Sequence, residues 1–132
     1  MKMALCTERT DSFINPPVWG DERLARDLQA FLSPLPEIER VDLLDRTTPC
    51  APDVDVCIRF QPSLTQTAPV TMLWYQNDHA YDLVHLADQY DALILSSVFH
   101  RAEAQRLLAF YPWLYEPVVC VNPDWFPPRP RT

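Results

Sequence analysis

The chain reads as an α/β fold of three layers: a mostly parallel sheet of about six strands with helices on both faces. Three observations predict it. Short, nearly unbroken apolar runs such as VTMLWYQ (70–76) and DALILSS (91–97) have the pattern of strands buried on both faces. Stretches of helical spacing separate several of these runs, and parallel strands need such crossovers to lie side by side. The 14 prolines fall almost entirely between the periodic segments, so they mark the connections.

Taken in order, residues 1–7 form a first strand, short and apolar. In DERLARDLQAFL, residues Leu24, Ala25, Leu28, Phe31 and Leu32 recur at helical spacing, with Asp21 placed to cap the start and Ser33-Pro34 to end the helix. ERVDLLD (39–45), bounded by Pro36 and Pro49, is the second strand; DVDVCIRF (53–60) is the third and VTMLWYQ the fourth. Residues 80–90 fit a short helix, 91–97 the fifth strand, 97–111 a helix capped by Ser97, and PVVCV (117–121) a sixth strand. The links between strands two and three and between three and four are short and show no helical pattern. An irregular stretch, a very short helix or an antiparallel edge strand would fit there. The expected organisation is one domain over 1–122 and a Pro-rich tail or interdomain linker over 123–132.

Composition excludes several functions. Net charge is −7, with a single lysine, Lys2, and ten arginines scattered among 18 carboxylates, so the clustered cations that grip nucleic-acid phosphates are missing. One glycine, Gly20, cannot build a Gly-rich dinucleotide loop, a P-loop or a G-x-S-x-G nucleophile elbow. No apolar window is long enough to span a membrane, and the N-terminal run is too short for a signal peptide; a cytoplasmic location is the expectation. The cysteines at 6, 50, 57 and 120 lack zinc-type spacing. Cys6, Cys57 and Cys120 fall inside apolar runs as small hydrophobes, and all four are expected to be reduced and structural.

In doubly wound sheets ligands bind beyond the carboxyl ends of the strands. Residues expected on that rim are Thr7–Thr10, then Trp19-Gly20-Asp21, Arg59 and Gln61, Gln76–His79, and Ser96-Ser97. A two-component receiver would need an Asp after strand three and a Lys after strand five; Arg59-Phe60 and the lone Lys2 rule it out. An FMN phosphate loop is opposed by the carboxylates Glu8, Asp11, Asp21 and Glu22.

The succession VWGDERLARDLQAFL, RVDLLD, DVDVCIRF, VTMLWYQNDH, QYDALILSSVFHR and PVVCVNPDWFPP, running from Val18 to Pro128, resembles the N-terminal, acceptor-side Rossmann-like domain of GT-B glycosyltransferases, closest to bacterial family-1/4-type and CgeB-like members. The W-G-D turn and YDALILSS are the more distinctive parts. YQNDH replaces the commoner polar end of strand four, and NPDW lacks the glycine often found at that turn. The resemblance implies a domain that binds a sugar acceptor, with the nucleotide sugar held by a second, C-terminal domain. It further implies metal-independent transfer with no cofactor, and either a domain excised from a longer protein or a half-enzyme that works with another chain, inactive by itself.

Under that resemblance His79 is the candidate general base, its pKa lying near working pH, and Asp21 a candidate acceptor contact. Trp19, Gly20, Arg59, Asn77, Asp78, Ser96 and Ser97 are the candidate substrate-binding residues. Each has a plainer reading beside it. Asp78 and Ser97 suit helix caps, His79 a cap or backbone partner, Arg59 a structural ion pair, Trp19 a packed loop anchor, and Gly20 a positive φ or close packing. His85 and His100 lie on predicted helices as solvated or structural groups. Trp113–Tyr115 and Trp125-Phe126 are packing, or a surface for another domain or protein partner. The competing function is a stand-alone, non-catalytic α/β module that binds a protein partner or small ligand.

Overall fold

The computed structural model describes residues 1–8, 20–75, 87–95 and 114–115. Within them run β1 (Lys2–Cys6), α1 (Gly20–Leu32), β2 (Arg40–Leu44), β3 (Val56–Arg59), β4 (Val70–Tyr75), a 3-10 turn at Ala87–Gln89, β5 (Ala92–Leu95) and β6 (Leu114–Tyr115). The strands form one six-stranded sheet in the order β2-β1-β3-β4-β5-β6, and every neighbouring pair is parallel. Each of the first five lies inside its predicted span. The sixth does not: Leu114 pairs with Leu93 and Tyr115 with Ile94, so the described strand comes from the aromatic segment before Glu116. The predicted strand 117–121 and the predicted helix 97–111 lie outside the described residues.

This order explains how the two faces are covered. A parallel crossover is right-handed in nearly all cases, so reversing the direction of travel across the sheet reverses the face on which the connection runs. From β1 the chain moves one way to β2 through α1; it then moves the other way to β3 and β4. Met3 and Leu5 of β1 accordingly pack with Ala25, Leu24, Leu28 and Leu32 of α1, together with Val41, Ile58, Phe60, Trp74 and Ile94. Ala4 and Cys6, pointing to the other face, pack with Leu44, Cys57, and Val54 and Leu64 of the two connections.

Neither the β2–β3 nor the β3–β4 connection holds a helix or a further strand. Pro49, Pro52, Pro62 and Pro69 deny them the regular run of N–H donors that a helix requires. An irregular chain can lie closer to a sheet than a helix can, and the small side chains of Ala4, Cys6 and Cys57 beneath it leave that room. Among the described residues the only α-helix therefore lies on one face.

Helix α1 ends where Ser33 interrupts it, its amide and hydroxyl both donating to the Gln29 carbonyl at 3.0 and 2.6 Å. Gln29 itself donates to Val41 O at 2.8 Å and ties the helix to β2. Phe31 departs from its predicted core position, being 62% exposed. It stands six residues from the buried Ala25, about 120° round the helix, too far to reach the sheet. Gly20 is the first helical residue and no described residue has a positive φ, so of the two readings of it, a positive φ or close packing, the first does not apply. Asp21 lies inside the first turn rather than before it.

Opposite the carboxyl ends, ion pairs clip the starts of the strands. Arg40 donates through Nε to Asp42 at 2.9 Å and through Nη2 to Asp53 at 2.8 Å, and Lys2 Nζ stands 3.2 Å from Asp53. The guanidinium of Arg40 holds the Asp53 carboxyl far below the usual carboxylate range, with Lys2 adding to it. All these groups face water, so their contribution is screened.

Leu5→Ala, at a fully buried site on the central strand, should cost about 2–5 kcal/mol in urea unfolding, while Phe31→Ala should stay within about 0.5. Because its folded-state pKa is depressed, Asp53 adds stability above its unfolded pKa of about 3.9 and loses it as pH falls further. Melting curves of Asp53→Asn should therefore show a shallower decline below that pH than the parent, with the difference shrinking in high salt.

Candidate functional site

The direction of the chain across the sheet reverses at β1 and β3, where connections leave on opposite faces and ligands characteristically bind. Their carboxyl ends are tied together. Thr7 N donates to Leu44 O at 2.9 Å, joining the end of β1 to β2, and Phe60 N donates to Cys6 O at 3.0 Å, joining β3 to β1. Thr7 is fully buried, and Phe60 stacks on Trp74 of β4 at a centroid distance of 5.6 Å.

Above this floor one carboxylate gathers three strand ends. Glu8, following β1, accepts from Arg46 Nε at 2.9 Å and from Arg46 Nη2, and Ser63 Oγ donates to it at 3.3 Å. Arg46 Nη2 also donates to Ser63 Oγ at 3.1 Å. Both charges are about half exposed, so the pair adds at most about 1 kcal/mol. Its larger effect is on charge. Arg46 is neutralised in bidentate fashion, so this part of the rim suits an uncharged hydroxylated ligand better than a phosphate.

Beside it opens a cavity of about 420 Å³ between residues 46–50 and 65–67. The DRTT sequence builds one wall as an Asx-type turn: Asp45 Oδ1 accepts from Thr47 N at 2.9 Å and from the Thr47 and Thr48 hydroxyls at 2.8 Å each. Gln66 crosses from the other wall, its side-chain amide donating to the Thr48 carbonyl at 3.1 Å. Threonines at 47, 48, 65 and 67 give the cavity a hydroxyl-rich lining.

Arg59, the last residue of β3, turns inward. It is 7% exposed, donates through Nε to Gln66 O at 2.6 Å, and its guanidinium lies 5.4 Å from the Tyr90 ring centroid. No carboxylate pairs with it among the described residues. The expected ion pair is thus replaced by a carbonyl and an aromatic face. Gly20 and Asp21 open α1. Trp19, Asn77, Asp78, His79, Ser96 and Ser97 lie outside the described residues; in sequence Asn77–His79 follow β4 and Ser96-Ser97 follow β5.

One acid stands out where the sequence suggests only a helix-start charge. Glu22 is 1% exposed, and neither carboxylate oxygen has a hydrogen-bond partner. It occupies the first turn of α1, the end above the strand termini, on the stripe that continues through Ala25 and Gln29. The helix dipole favours a negative charge there, yet burial without donors is costly. A donor brought by a ligand would relieve that cost. Nothing in the sequence separates Glu22 from Asp21 or Glu37; only the packing does. Arg46, Ser63 and the threonine cavity are likewise invisible as a cluster, although Asp45-Arg46-Thr47-Thr48 carries a recognisable turn signal.

Comparison with known proteins found no match: no family model fits the chain, and no curated protein or solved structure is similar to it.

Glu22→Gln should raise stability by about 1–3 kcal/mol in denaturant unfolding, because it removes an uncompensated buried charge. A loss of that size would mean that the carboxylate makes an essential structural contact.

Proposed function

We propose that the chain is the acceptor-binding half of a GT-B-type glycosyltransferase, built as a three-layer Rossmann-like sandwich with helices on both faces and acting in the cytoplasm. The observation that carries the reading is the all-parallel sheet in the order β2-β1-β3-β4-β5-β6, whose strands deliver their carboxyl ends to one edge. A neutralised, hydroxyl-rich rim beside the switch point agrees with an uncharged sugar acceptor.

In this reading His79 removes the proton from the acceptor hydroxyl as it attacks, imidazole being the side chain suited to general-base work near neutral pH. Asp21 orients that hydroxyl, Trp19 stacks on the sugar ring, and Gly20, Asn77, Asp78, Ser96 and Ser97 supply close backbone approach and hydrogen bonds. Arg59 is committed to Gln66 and Tyr90, so it supports the rim from below rather than touching the acceptor. The donor nucleotide sugar belongs to a second domain. In this reading the present domain binds the acceptor and depends on that second domain for transfer.

Titration of the labelled chain with candidate acceptor sugars, followed by NMR, tests this. The His79 imidazole and the amides after β1, β4 and β5 should shift together and saturably. Resonances that stay still along the whole rim with every sugar tried would end the reading and favour a non-catalytic partner-binding module.

A further inference from the structure

Three cysteines from separate parts of the chain meet on the sheet face that carries no described helix. Cys6 ends β1, Cys57 lies in β3 and Cys50 hangs from the β2–β3 connection; all three are free, and they share one cluster with Ala4, Leu44 and Leu64. Cys57 Sγ donates to Gln66 O at 3.7 Å and to Thr71 Oγ1 at 3.6 Å, and the three thiols lie close enough to shift one another's ionisation. Cys6 and Cys57 are fully buried, whereas Cys50 is half-buried and forms part of the cavity wall. The cavity thus gives the cluster one door, and Cys50 stands in it.

The cluster also has a cation of its own. Arg59 lies two residues beyond Cys57 on the same face of β3, and no carboxylate pairs with it among the described residues. A buried guanidinium without a counterion is unfavourable, and an ionised thiol beside it answers that need. The first proton leaves the trio below the ordinary thiol value, at about 6 on Cys57, favoured chiefly by the neighbouring Cys6 thiol against the opposing effect of burial, with Thr71 and Arg59 adding to it. The remaining thiols are pushed up, Cys50 to about 11.

We propose that Cys50 and Cys57 are an oxidisable dithiol, converted to a disulfide when a peroxide enters the cavity between residues 46–50 and 65–67. Cys57 takes the proton of the neighbouring Cys50 as Cys50 sulfur attacks the peroxide. The O–O bond breaks, the leaving oxygen takes the proton from Cys57 and departs as alcohol or water, and Cys50 becomes a sulfenic acid; its sulfur is oxidised by two electrons and the peroxide is reduced by two. Cys57, ionised again, then attacks Cys50 sulfur. The S–O bond breaks, hydroxide leaves and takes a proton from solvent to become water, and the S–S bond forms.

Geometry selects this pair. In the parallel register Ala4 is opposite Cys57 and Cys6 opposite Arg59, which sets the Cys6 and Cys57 Cα atoms about 8 Å apart on the diagonal. That exceeds the ~7 Å a disulfide tolerates, and both are held by the sheet. Cys50 sits on an irregular connection that can adjust to Cys57. The pairing does not depend on the glycosyltransferase reading.

The full chain, treated with hydrogen peroxide and mapped by mass spectrometry without reduction, should yield a Cys50–Cys57 cross-linked peptide that dithiothreitol releases. Cys6→Ala should still form it. Cys50→Ser should not, while melting as the parent does. A bond to Cys6 or Cys120, higher sulfur acids alone, or four thiols left intact would overturn the proposal; the parent protein decides the matter even if a variant fails to fold.

Discussion

The burial of β1 on both faces is the constraint on which the rest of the structure depends. Lys2–Cys6 lies between β2 and β3, and its alternate side chains feed two different cores. A strand so placed must satisfy its backbone through parallel ladders on both sides and can tolerate no exposed face. The chain then has to reverse its direction across the sheet at this strand. That reversal puts α1 on one face and the proline-marked connections on the other. It also leaves the crevice between the carboxyl ends of β1 and β3 as the place where three segments converge.

The two faces solve the covering problem with different materials. On the α1 side, large residues such as Leu5, Ile58, Phe60 and Trp74 fill the space under a helix. The opposite face uses Ala4, Cys6 and Cys57, which let irregular chain approach the sheet. The close approach has a chemical consequence. Thiols small enough to fit there gather in one cluster, beside the threonine-lined cavity that the same connections enclose. Packing and reactivity are therefore two results of one choice of side-chain volume.

Charge is distributed with similar economy. Lys2 and Arg40 are occupied by Asp42, Asp53 and Glu39 at the amino ends of the strands, and Arg46 by Glu8 at the carboxyl ends. Arg59 is buried against a carbonyl and a ring. None of these four cations offers a ready site for phosphate, which agrees with the strongly acidic composition. Among the described residues Glu22 stands out as a buried carboxylate without a donor at the start of α1.

By itself the sequence determined the first five strands and α1. Apolar runs at 1–7, 39–45, 53–60, 70–76 and 91–97 each contain a strand, because a strand buried on both faces must be apolar throughout its length. Ser33-Pro34 placed the end of α1 through local backbone chemistry, and the parallel sheet followed from the alternation of patterns. What depended on distance in space stayed hidden until the tertiary structure decided it. The short sixth strand at 114–115 is set by the register it finds against β5, and Phe31 is solvent-facing because the sheet spans less than the helix's apolar arc. The partners of Arg59, the isolation of Glu22 and the meeting of Cys6, Cys50 and Cys57 join residues from different elements. Local propensity carries no information about such pairs; only the order of the strands, and the faces on which their connections run, brings them together.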